Sequence, residues 1–138
     1  MEERRYFTRK EANEQLPWLE AQLQLIAETR AGMGRLQGEM NGLQRHARRN
    51  GHSSTQQDLV TKRKEINTAA NQLARLLQEV HARGIIVRDT ERGLVDFPSL
   101  KEGHAVYLCW LRGESRIAFW HEADAGFDAR QPLSEDDP

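Results

Sequence analysis

The sequence predicts an α+β fold: a long antiparallel helical hairpin, coiled-coil-like, followed by a small, mainly antiparallel C-terminal β-sheet. Three observations predict it. Apolar residues recur at helical steps through most of the first 83 positions. Asn50-Gly51-His52-Ser53-Ser54 interrupts that stripe with turn-forming residues. After Gly84 the pattern changes to short β-branched and aromatic runs separated by turns.

The first element opens at Thr8-Arg9-Lys10-Glu11, a capping box with Phe7 as its hydrophobic staple. This helix is expected to be short, reaching about Gln15, because Pro17 lacks an amide donor and crowds the preceding turn. A second helix then starts at Pro17 and runs to about Arg49. Its stripe is Leu19, Leu23, Ile26, Met33, Leu36, Met40 and Leu43. Ser54 and Gln57 offer another capping box, before a helix striped by Leu59, Ile66, Ala70, Leu73, Leu77 and Val80. Gly84 sits where a C-terminal cap belongs. At the hairpin base Ala21, Leu25, Ala69 and Leu76 widen the apolar face, so more than the partner helix must cover it. Gly34, Gly38 and Gly42 share one helical face, serving either close helix approach or mere tolerance of flexibility.

The strands read as Ile85–Val87, a turn at Thr90–Gly93, Leu94–Phe97 ending before Pro98, and a central strand Ala105–Leu111. Gly113-Glu114 reads as a two-residue hairpin loop leading into Arg116–His121. That register sets Cys109 opposite Ala118 and His121 opposite Val106. Val106, Leu108, Trp110, Ile117, Phe119 and His121 then share the core face, and Tyr107, Cys109, Trp120 and Glu122 share the other. Tyr107 and Trp120 need cover, from the tail through Phe127, from a partner subunit, or from a ligand beside Glu122 and Arg130. The whole reads as a single domain, 1–138, with the hairpin at 8–83 and a small β region with an irregular acidic tail at 84–138.

Gly93-Leu94-Val95-Asp96-Phe97-Pro98, Tyr107-Leu108-Cys109-Trp110, Gly113-Glu114, Trp120-His121, Gly126 and Arg130 resemble a family of small bacterial proteins. That family is domain-of-unknown-function family 2203, and Tyr6-Phe7-Thr8, Glu11-Ala12-Asn13 and Leu16-Pro17 resemble its opening. The resemblance spans nearly the whole chain. It implies a helical hairpin plus a small sheet, and it implies no activity.

The 138 residues carry a net charge of −1, are 30% charged, and have a mean hydropathy of −0.79. With no long apolar run, a membrane span is not expected. Nor is a secretory signal, since Met-Glu-Glu-Arg-Arg opens the chain without an apolar stretch behind it. A single cysteine, Cys109, excludes an internal disulfide framework and suits the cytoplasm. Arg30–Lys64 holds eight basic and two acidic residues, whereas Asp89–Pro138 holds five basic and eleven acidic ones.

His121-Glu122 is not a metalloprotease motif, because the second histidine position holds Ala125. Asp96, Cys109 and His121 have the donor types of a zinc site, but the register above sends Cys109 and His121 to opposite faces. No metal site and no cofactor are therefore expected, and no catalytic residue is named. Ligand-binding candidates are Asp96, Trp110, Glu114, Trp120, His121, Glu122 and Arg130. Arg45, Arg48, Arg49, Lys62, Arg63 and Lys64 would converge near an antiparallel tip and suit phosphates. No aromatic residue is interleaved there to stack on bases, which argues against a nucleic-acid partner. Two functional readings follow. The favoured one is a non-catalytic, self-associating interaction module of the bacterial cytoplasm, a homodimer with a macromolecular partner. The alternative is a small-ligand or enzyme site around the Trp-His-Glu segment.

Overall fold

The computed structural model describes residues 5–50, 53–135 and 137. Two helices, α1 (Arg9–Asn50) and α2 (Ser53–Ala82), pack against each other as the expected hairpin. Five strands follow: β1 (Ile86–Asp89), β2 (Leu94–Lys101), β3 (His104–Leu111), β4 (Phe119–Glu122) and β5 (Gln131–Pro132). They form one antiparallel sheet in chain order, so the α+β reading holds. Among the described residues no helix is long and apolar enough to cross a membrane. The chain divides into two compact units: Met1–Gln24 with Leu77–Pro138, and Leu25–Leu76.

The first unit begins with the capping box. The Glu11 amide donates to Thr8 Oγ1 at 3.1 Å and the Thr8 amide donates to Glu11 Oε1 at 2.9 Å. Those bonds hold the Glu11 carboxyl below its ordinary pKa. Contrary to expectation, α1 does not stop at Gln15; it is one helix of 42 residues with Pro17 inside it. An internal proline costs about 3 kcal/mol. Anchoring of the preceding turns offsets that cost: Ala12 is fully buried, and Arg9 and Asn13 both bind the peptide groups of Ile117. Gly84 ends α2 as expected, with φ +86° and its amide donating to the His81 carbonyl at 2.8 Å.

The expected end of β2 before Pro98 is also corrected, because the strand continues to Lys101. Pro98 is tolerated because β1 reaches only as far as Asp96 along β2, so no ladder donor is needed there. The Pro98 carbonyl instead accepts from the Phe7 amide at 2.7 Å.

The largest correction lies between β3 and β4. Gly113 does form a turn, with the Glu114 amide donating to the Leu111 carbonyl at 3.0 Å, but β4 begins only at Phe119. Ile117 is fully buried on the way. Its amide donates to Asn13 Oδ1 at 2.7 Å and its carbonyl accepts from Arg9 Nε at 3.2 Å. Capture of this segment by α1 lengthens the loop and slips the register by one residue. Cys109 now pairs with Phe119, Tyr107 with His121, and Val106 with Glu122. A one-residue slip exchanges the faces of a whole strand. Val95, Phe97, Ser99, Val106, Leu108, Trp110 and Trp120 share the inner face; Asp96, Pro98, Tyr107, Cys109, Phe119 and His121 share the outer one. Inside, Phe7 meets Phe97 edge-on at 5.2 Å, and Ser99 Oγ donates to the Phe7 carbonyl at 2.6 Å.

Tyr107 and Trp120, expected together, are therefore on opposite faces. The tail is not irregular. Its residues Phe127–Ala129 make a 3₁₀ turn and Gln131–Pro132 pair with β4. Leu133 and Asp137 line a small cavity with Trp120, so the tail does supply cover on that side.

In the second unit, Lys62 pairs with Glu39 at 2.6 Å and fixes the register of the two helices. A Cβ added at Gly34 or Gly38 would meet nothing within 4 Å. Close approach of α2 is thus not what those glycines serve. The side chain of Ser54, and with it the second capping box, lies outside the described residues, as do Gly51 and His52 of the turn.

Candidate functional site

The slipped register brings together three side chains that the sequence reading had separated. Asp96 on β2 pairs directly with Cys109 on β3, and His121 on β4 lies one position along the same outer face. Their ligand atoms all fall within 4.8 Å of one another. Each residue is nearly sealed from solvent: Cys109 is 1% exposed, His121 2% and Asp96 3%.

Hydrogen-bond partners fix the imidazole. Nδ1 of His121 lies 2.8 Å from the Glu122 carbonyl; a carbonyl can only accept, so Nδ1 carries a proton. Nε2 then faces Asp96 Oδ1 at 3.0 Å and Oδ2 at 3.1 Å. A lone pair and a carboxylate at that separation repel unless positive charge, a proton or a cation, lies between them. Arg88 Nε donates to Asp96 Oδ2 at 2.9 Å from the outside, while its guanidinium sits 5.0 Å from the Tyr107 ring centre. Tyr107 in turn lies 5.5 Å from the His121 ring.

Arg130 closes the other side. It holds Glu114 through two bonds, Nη1 to Oε1 at 3.1 Å and Nη2 to Oε2 at 2.7 Å. Its guanidinium stacks over Phe119 at 4.0 Å and Phe127 at 4.3 Å. Burial, and then the Asp96 carboxylate, push the Cys109 thiol up to about 12. A thiol so poised stays protonated at neutral pH and is a poor nucleophile. A Cys-His-Asp triad also needs the thiol and the carboxylate at different ring nitrogens, whereas Nδ1 is committed to a carbonyl. The cluster can hold a proton or a cation; it is not built to attack a substrate.

The remaining ligand candidates do not join it in one cavity. Trp110 is buried on the inner face, with Nε1 donating to the Glu114 carbonyl at 2.9 Å. Trp110 and Glu114 line an open groove of about 510 Å³ with Leu16, Pro17 and Glu20. Trp120 is buried on the inner face beneath Lys101, and Glu122 is half-buried, 3.4 Å from His104. Of the seven candidates, Asp96 and His121 meet through their side chains in the cluster, His121 also bonds the Glu122 carbonyl, and Glu114 is held by Arg130 and Trp110 beside it.

Nor do the basic candidates converge on a single tip. Lys62 lies level with Glu39, so Lys62, Arg63 and Lys64 stand roughly 9–18 Å along the helix axis from Arg45, Arg48 and Arg49. Sequence reasoning missed Cys109 through the register and Arg88 altogether. Only the alternation Ile86-Val87-Arg88 pointed to Arg88, and alternation does not say which face will matter.

Comparison with curated proteins and with solved structures finds no match. A family model described as "Uncharacterized conserved protein (DUF2203)" matches residues 5–133. The matched span contains both helices, every strand and all the residues of the outer-face cluster, and the chain therefore belongs to the DUF2203 family.

Proposed function

We propose that this protein is a non-catalytic, self-associating interaction module of the cytoplasm, and that two copies pair through the Leu25–Leu76 arm. One observation carries the reading. Beyond the buried Ile26, Met33, Leu36, Met40 and Leu43 of α1, with Leu59, Ile66 and Leu73 of α2, continue the arm's apolar stripe, yet every one of these seven stays only half-buried. Two helices cover just one side of each other's apolar face, and helices of this kind depend on further packing for stability. A second hairpin supplies the missing side.

The charges support a second copy over nucleic acid. Glu39, Asp58 and Glu65 with Lys62 line an open groove on the arm, beside Gly42 and Thr61. That surface is acidic, whereas exposed Arg45, Arg48 and Arg49 make one end basic. Two arms laid antiparallel set the basic end of each against the acidic groove of the other, an isologous contact. The glycine face beside the groove lets a partner helix come close.

Sedimentation at tens of micromolar, roughly the range held by an interface of standard size, is expected to find a dimer. Gly38→Leu adds a side chain whose Cβ meets nothing within 4 Å, so it should keep helicity and yield a monomer. A wild-type monomer at that concentration sinks the proposal; an intact Gly38→Leu dimer moves the interface elsewhere.

A further inference from the structure

We infer that Asp96, Cys109 and His121 form a site for one zinc-class divalent metal ion. The donor set is one carboxylate oxygen, one thiol sulfur and one imidazole nitrogen, drawn from three neighbouring strands. Borderline metals such as zinc take these three donor types, at about 2.0 Å for nitrogen and oxygen and 2.3 Å for sulfur. Tetrahedral ligand atoms at those bond lengths stand roughly 3–4 Å apart. The observed cluster, within 4.8 Å, needs only a small contraction around the ion.

The surroundings are those of a supported site rather than a chance meeting. A metal-binding histidine ordinarily gives its other N–H to a carbonyl or carboxylate, which fixes the tautomer and aims the free nitrogen. The Glu122 carbonyl does this for His121 at 2.8 Å, leaving Nε2 aimed at Asp96. Arg88 holds Asp96 Oδ2 and so presents Oδ1 as the single binding oxygen. The walls are the Tyr107 and Phe119 rings on the same face, which keep the local dielectric low.

One carboxylate and one thiolate neutralise a divalent ion; Arg88 on Asp96 adds one positive charge at the solvent-exposed rim, while the nearby Arg130 is already neutralised by Glu114. On binding, two protons leave to solvent, one as the Cys109 S–H bond breaks and one from between Nε2 and the Asp96 carboxylate, and sulfur–metal, nitrogen–metal and oxygen–metal bonds form. The ion takes the place of the positive charge required between Nε2 and the carboxylate. Three protein ligands leave a fourth position for water or an outside donor. This inference concerns the sheet alone and is independent of arm pairing.

The test is a titration of the metal-free, full-length chain with cobalt(II) and, separately, zinc(II). Cobalt should bind one per chain and develop a thiolate-to-metal charge-transfer band. Cys109 is the sole cysteine in the chain, so any such band reports this site even if no variant folds. Zinc should raise the melting temperature, and Cys109→Ala should lose both responses. Arg88→Leu, which removes an outer support, should weaken affinity roughly 10- to 100-fold. Absence of the charge-transfer band in the wild type overturns the site, as does cobalt uptake that Cys109→Ala leaves unchanged.

Discussion

Trp120 illustrates how one side chain reports on its surroundings. Its ring is 9% exposed, with Lys101 Nζ 5.0 Å from its centre and Leu133 lining the same cavity. Removing so large a buried ring leaves a void, so Trp120→Ala should cost roughly 3–5 kcal/mol. Chemical denaturation of the two proteins measures this directly, and an unchanged midpoint would show that the ring is not part of the core. Asp96 and His121 were readable in the sequence as ligand-binding candidates, because an acid and a histidine in apolar strands need a reason to be there. Cys109 was legible only as a small buried residue. Its partnership with them depends on register, and register depends on atoms more than a hundred positions away in the chain.

Individual elements show the same division between what is local and what is not. The capping box at Thr8 and Glu11 was readable because both halves lie within one turn. Thr8→Ala removes the hydroxyl that the Glu11 amide donates to and should lower stability by about 1 kcal/mol. Thr8→Ser should restore most of it; if Thr8→Ala melts like the wild type, the cap is dispensable. The helix ending at Gly84 and the β-branched start of β1 were readable for the same reason. Pro17 and the β3–β4 loop were not. Each is decided by Arg9 and Asn13 reaching across to Ile117, a contact that no window of neighbouring residues contains. Tight-turn chemistry at Gly113 was read correctly and still gave the wrong register, because Ile117, four residues on, bonds to α1 rather than to the ladder.

Across the molecule, the C-terminal tail is held by charge as well as by β5. Lys101 Nζ binds Asp137 Oδ1 at 2.6 Å, and the Ser134 amide donates to Asp137 Oδ2 at 2.8 Å. The Lys101 bond first, and then the Ser134 amide, keep the Asp137 carboxyl below its ordinary 3.8. Because the folded value is depressed, this stabilisation is present above the ordinary value and is lost as pH falls through the folded one. Acidification below about 4 should therefore loosen the tail before the helices melt. The Ser134 amide resonance, followed by NMR, should shift in that window, and Asp137→Asn should remove the transition. A Ser134 resonance that moves identically in both proteins would show that Asp137 does not clamp the tail.

The bond from the Phe7 amide to the Pro98 carbonyl also has a meaning in time. A ribosome makes Phe7 about 91 residues before Pro98, so the Phe7 amide waits for its partner strand. Asn13 waits longer still, for Ile117. Between them lies the Leu25–Leu76 arm, whose contacts are close in sequence and can form as soon as the second helix emerges. Its register, with Glu39 level with Lys62, brings Leu25 and Leu76 side by side. An arm already zipped shortens the loop between Phe7 and Pro98 from about 91 residues to about 40, sparing roughly 0.7 kcal/mol of chain entropy when the two finally meet. The helical insertion thus acts as an early-folding clasp, timed to deliver Phe7 and Asn13 to partners made long after them.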